Sequence, residues 1–133
     1  MALLLLIFNK TQKDMNILLI EDEELLASNI KSYFDGFYEF NFELKKTVKD
    51  GLEALKESNY DLVITDLNLN DSQDIHWLYK IGEIKPNQKV IVISSHSKSN
   101  ANIISENISL LGYYEKPFDI CEIHEQLKIN NIK

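Results

Sequence analysis

The chain has 133 residues, a formal net charge of −7 from 14 Lys+Arg against 21 Asp+Glu, and apolar side chains at 44% of positions. That is the make-up of one globular domain, too apolar and too poor in Gly and Pro for a disordered chain. The acidic balance disfavours direct DNA binding, and a single cysteine, Cys121, excludes an internal disulfide or a Cys-built zinc site and suits a reducing, cytoplasmic compartment.

Ala2 to Phe8 is an unbroken apolar run. It is too short for a membrane span, which needs about 20 residues. No Lys or Arg precedes it, as one would in a secretory signal. Residues 1–14 therefore read as an extension ahead of a domain over 15–133. The extension suits an added strand, an upstream start with Met15 as the alternative initiator, or an apolar arm that covers a surface or mediates a homodimer.

The domain then alternates. Asn16 to Ile20 is an apolar run ending in acids, the pattern of a strand buried on both faces. Glu23 to Phe37 carries Leu25, Leu26, Ile30, Tyr33, Phe34 and Phe37 at helical spacing. Phe40 to Val48 alternates as a more exposed strand. Asp50-Gly51 signals a turn, and Leu52 to Ser58 a short helix. Leu62 to Ile64 is a second buried strand, ending at Asp66. Ile75 to Ile84 is helical up to Lys85-Pro86. Val90 to Ile93 is a third buried strand, ending in Ser94-Ser95. Ser99 to Leu111, with Ile103, Ile104, Ile108 and Leu111, predicts a fourth helix ended by Gly112. Tyr113 to Lys116 is a short strand closed by Pro117, and Phe118 to Lys128 a last helix. His76, His96 and His124 read as surface or partly buried residues, and Trp77 as a helix-face aromatic.

Alternating strands and helices imply a parallel sheet covered on both faces, with the ligand site beyond the strands' carboxyl ends. At those ends stand Glu21 and Asp22, Asp66, Ser94 and Lys116. Taken singly, Asp22 suits a helix cap, Asp66 a turn, and Lys116 the surface. As a set on one edge, the acids repel. Two like charges at 4 Å cost roughly 4 kcal/mol at an effective dielectric of 20, so a proton or a cation must relieve them. An all-oxygen set with open positions suits Mg²⁺, not zinc. A carboxylate beside a divalent cation and an ammonium can attack a phosphoryl group.

These residues sit in four motifs: ILLIEDEE (17–24), YDLVITDLNL (60–69), VIVISSH (90–96) and GYYEKPF (112–118). In this order they resemble the receiver domain of two-component response regulators. The resemblance implies a flavodoxin-like (βα)5 fold with strand order 2-1-3-4-5. It implies that Asp66 is the phosphoacceptor, and that Glu21, Asp22, Asp66 and the main-chain carbonyl of Asn68 hold Mg²⁺ or Mn²⁺. Ser94 and Tyr113 match the switch residues, and Lys116 the lysine that meets the phosphoryl group, with a cis peptide to Pro117. The implied donor is a sensor histidine kinase or a histidine phosphotransfer protein. The implied output is a protein target bound through the fourth helix, fifth strand and last helix, with no output domain following. Such a domain catalyses only its own phosphorylation and slow dephosphorylation, and is not an enzyme in the ordinary sense. Two departures stand out. Asn70 replaces the usual Pro four residues after the acceptor, and Asp71 to Asp74 lack the usual glycine. Both predict a looser loop.

Other classes fit less well. A pseudo-receiver that signals by protein contacts without phosphate would not need the intact acidic set. An aspartyl phosphatase needs a second Asp where Asn68 stands. A flavodoxin-like cofactor binder would meet acids, not a phosphate loop, at Glu21 to Glu24.

Overall fold

The computed structural model describes residues 15–37, 39–72, 74, 76–97 and 106–130. The extension over 1–14 and positions 99–105 of the predicted fourth helix lie outside the described residues. The elements are β1 (Met15–Ile20), α1 (Glu24–Asp35), β2 (Phe40–Lys45), α2 (Val48–Glu57), β3 (Leu62–Asp66), α3 (Tyr79–Ile84), β4 (Gln88–Ser94), β5 (Ile108–Glu115) and α4 (Ile120–Asn130). The strands form one parallel sheet in the order β2-β1-β3-β4-β5, as expected. Among the described residues no helix is long and apolar enough to cross a membrane.

The period-2 alternation of the central strands builds two cores. Leu18, Ile20, Val63, Val90 and Val92 face α2, α3 and the turn leading into α3, where Val48, Leu55, Trp77, Leu78 and Ile81 meet them. Ile17, Leu19, Leu62, Ile64, Ile91 and Ile93 face α1 and α4, against Ala27, Ile30, Phe34, Ile123 and Leu127. Each strand thus buries both sides, which is why its sequence reads as continuous rather than alternating apolar. Trp77 belongs to this packing and is fully buried.

Two stretches take a different secondary structure from the one expected. Asp50-Gly51 is not a turn: it lies inside α2, which starts at Val48 behind a Thr47 cap that accepts from Asp50 N at 3.0 Å. Gly51 is there because the helix runs close to β1. A Cβ at 51 would stand 2.5 Å from Ile20 Cδ1. The second is at 108–111, expected to be helical. These residues begin β5, paired with β4 from Gln88↔Ile108 to Ser94↔Glu115. The register slips between Val90 and Ile91, so Leu111 is the extra residue of a bulge. Gln126 of α4 donates from Nε2 to the Leu111 carbonyl there. Apolar residues three and four apart also fit a bulged strand once a neighbouring ladder takes the backbone hydrogen bonds.

Candidate functional site

Parallel pairing brings the ends of β1, β3, β4 and β5 to one edge. Glu21 follows β1, Asp66 closes β3, Ser94 closes β4, and Lys116 follows β5. Lys116 N donates to the Ser94 carbonyl at 2.7 Å, which fixes where the lysine leaves the sheet. The peptide between Lys116 and Pro117 is cis.

The lysine side chain draws the acids together. Its Nζ lies 2.7 Å from Asp66 Oδ2, 3.0 Å from Glu23 Oε1 and 3.4 Å from Glu21 Oε1. Burial alone would lower its pKa, but the bonds to Asp66 and Glu23 and the charges of Asp66 and Glu21 outweigh that and hold it above the ordinary lysine range. Asp66 is buried, and its Oδ1 accepts from Asn68 N at 3.0 Å. Glu21 is wholly buried. Its Oε2 accepts from Glu23 N at 3.1 Å, while Oε1 has no hydrogen-bond partner among the described residues. Burial raises the Glu21 pKa above the usual glutamate value, with the Glu23 N–H and Lys116 pulling the other way.

Asp22 stands apart from this trio. Its Oδ2 accepts from Asn70 N at 2.9 Å. The loop expected to be loose is therefore tied down: a proline at 70 would have no N–H to give. Ser94 is buried, and its Oγ accepts from His96 N at 3.0 Å. Tyr113 donates its hydroxyl to the His96 carbonyl at 2.8 Å. Burial raises its pKa, opposed by the Ser94 hydroxyl. Glu23 is the site residue that sequence reasoning missed. The signal was present in the run of four acids at 21–24, of which only two were assigned.

No three acidic, histidine or cysteine side chains already close around a point among the described residues. The donors nevertheless fit Mg²⁺ as chemistry. They are all oxygens, Glu21 Oε1 is buried and, among the described residues, meets the Lys116 ammonium at 3.4 Å without a hydrogen bond, and Mg²⁺ keeps several waters and uses only a few carboxylates.

This chain belongs to the response regulator receiver domain family, whose sequence profile matches residues 17–128. Receiver domains are signalling phosphoacceptor modules rather than enzymes of the ordinary kind, they bind Mg²⁺ in the active site, and their general partners are histidine kinases. Similar curated proteins include the transcriptional regulatory protein BasR of Escherichia coli (26% identical over 116 residues, 86% of this chain and 51% of BasR). The chemotaxis protein CheY-3 of Vibrio cholerae is 28% identical over 120 residues, covering 86% of this chain and 90% of that protein. The chain thus spans about half the length of BasR and most of CheY-3. Among solved structures, a CheY-like receiver domain from Methanospirillum hungatei superposes with a TM-score of 0.77 at 21% identity, covering 89% of this chain and 94% of that one. The receiver domain of the sensor histidine kinase PA1611 from Pseudomonas aeruginosa superposes at 0.70 with 15% identity, covering 86% and 96%. That structure holds a magnesium ion in its active-site cleft.

Proposed function

We propose that this chain accepts a phosphoryl group on Asp66 from a histidine kinase or a histidine phosphotransfer protein, in a reaction that requires Mg²⁺ or Mn²⁺, and that the acyl phosphate changes which protein partner it binds. The observation that carries the reading is the Lys116 ammonium 2.7 Å from Asp66 Oδ2 on the carboxyl edge of the sheet, beside the buried Glu21.

An ionised carboxylate is itself the nucleophile, so no general base is required. An Asp66 oxygen attacks phosphorus, the P–N bond to the donor imidazole breaks, and the imidazole leaves. Lys116 is held where negative charge gathers on the phosphoryl oxygens, and the Ser94 hydroxyl turns to donate to one of them. Glu21, Asp22, Asp66 and the Asn68 carbonyl would hold the cation, which supplies further charge neutralisation when bound. Water later attacks phosphorus and returns the Asp66 carboxylate and inorganic phosphate. Tyr113 reads the change: when Ser94 moves to the phosphate, the segment carrying His96 shifts and the tyrosine's anchor moves with it. Moving such an equilibrium from 1:99 to 99:1 takes about 5.5 kcal/mol. Two or three charge-assisted hydrogen bonds at about 1.5–3 kcal/mol each suffice.

The test is incubation with acetyl phosphate and Mg²⁺ followed by intact-mass measurement. The unaltered chain gains one phosphoryl group, while Asp66→Asn and a chelator-treated sample gain none. A label that survives Asp66→Asn contradicts the assignment. An unaltered chain that takes no label is the outcome a phosphate-independent interaction module predicts.

A further inference from the structure

The loop after β3 is fastened at three points. Asp71 Oδ1 accepts from Val48 N at 2.9 Å and Oδ2 from Lys49 N at 3.1 Å, so one carboxylate spans the first turn of α2. Asn70 N donates to Asp22 Oδ2 at 2.9 Å. Behind them, buried Trp77 donates from Nε1 to the Leu67 carbonyl at 3.1 Å. Asp71 and Asn70 are consecutive, so pinning one to α2 fixes where the other's N–H points. We propose that Asp71 is a positioning residue for the cation site: it clamps the loop to the start of α2, and the loop in turn holds Asp22 in place through Asn70 N–H. This rests on the reading of Asp22 as a metal ligand.

The chemistry favours positioning over simple capping. A carboxylate has about four lone-pair sites, and the Asn70 N–H on Asp22 Oδ2 uses one of them, fixing the Asp22 rotamer and leaving others for a cation. Groups that orient a metal ligand typically change metal affinity 10- to 100-fold when removed. The loop also carries the Asn68 carbonyl and the Asn68 N–H on Asp66. One clamp therefore registers both sides of the site, in the stretch where the usual proline and glycine are missing.

The experiment is a Mg²⁺ titration without phosphodonor, read by calorimetry and by Trp77 fluorescence. The proteins are the unaltered chain, Asp71→Ala, Asp71→Asn, Asn70→Pro and the Asp71→Ala/Asn70→Pro pair, each with its thermal midpoint. Asp71→Ala is expected to weaken Mg²⁺ binding roughly 10-fold or more, Asn70→Pro to weaken it too, and the pair to do no worse than the stronger single change, because both act through one link. Asp71→Asn, which keeps one acceptor oxygen, falls between and guards against a variant that fails to fold. Unchanged Mg²⁺ affinity in a folded Asp71 variant, with only its thermal midpoint lowered, overturns the clamp and leaves the site reading standing. No Mg²⁺ binding by the unaltered chain overturns both.

Discussion

A carboxylate with no exposed surface is ionised only against a desolvation penalty, and Glu21 is so placed. Its pKa in the folded chain is raised above 4.5, chiefly by burial. Its contribution to stability is therefore fully present below pH 4.5 and lost as the pH rises through the higher folded value. At pH 7 the burial of the Glu21 carboxyl works against folding, so Glu21→Gln should raise the thermal midpoint while Mg²⁺ binding falls. A variant no more stable than the unaltered chain at pH 7 would contradict this. His124 illustrates the opposite sign. It is 5% exposed, ringed by Tyr33, Phe34, Phe37 and Phe40, with Nδ1 3.0 Å from the Tyr33 hydroxyl and Nε2 buried without a hydrogen-bond partner among the described residues. Burial and then Lys128 lower its pKa from 6.5, against Glu39 and Glu125. The unfolded chain takes up this proton near pH 6.5 and the folded chain only below that. Stability is full above 6.5 and declines as the pH falls toward the folded value. Urea unfolding between pH 7.5 and about 5 should show this slope, and His124→Gln should flatten it. An unaltered slope in the variant assigns the acid sensitivity to other groups.

Helix α2 shows how an element is placed by its neighbour rather than by its own propensity. An Ala at position 51 should favour the isolated helix by about 1 kcal/mol. In the folded chain its Cβ would stand 2.5 Å from Cδ1 of the fully buried Ile20, which must shift within a packed core to admit it. Overpacking of that kind costs about 1–3 kcal/mol. Gly51→Ala is therefore expected to lower unfolding stability by about 1 kcal/mol net, the difference of those two effects. Adding Ile20→Val should recover part of it, and a stabilised Gly51→Ala would contradict the close approach. The same competition explains which elements could be read from sequence. β1, β3 and β4 were plain because both their faces are covered. β5 was not, because the contacts that make Ile108 to Leu111 a bulged strand come from β4 and Gln126, which lie far away along the chain. The start of α2 was hidden for a similar reason: Asp50-Gly51 has the composition of a turn, and only the approach of Ile20 accounts for its glycine.

At the level of the whole molecule, the parallel sheet makes the site. Its order places the ends of β1 and β3 side by side at the sheet's centre, with β4 and β5 following. A rule about strand ends was therefore enough to gather Glu21, Asp66, Ser94 and Lys116 before any side-chain geometry was known. Hydrogen bonds made by loop amides were beyond that rule, since residue type does not reveal which N–H meets which carboxylate. Asn70 on Asp22 and Asp71 on α2 belong to that class, and so does Glu23, whose place beside Lys116 depends on how the chain turns into α1. The net charge of −7 disfavours contact with a polyanion. The central claim is that Asp66 is the acceptor, and trapping the acyl phosphate tests it most directly. Borohydride reduction of the acetyl-phosphate-treated chain, followed by peptide mapping, should convert Asp66 alone to homoserine. Reduction to the side-chain alcohol at Glu21, Asp22 or Glu23 instead, with Asp66 untouched, would contradict the account.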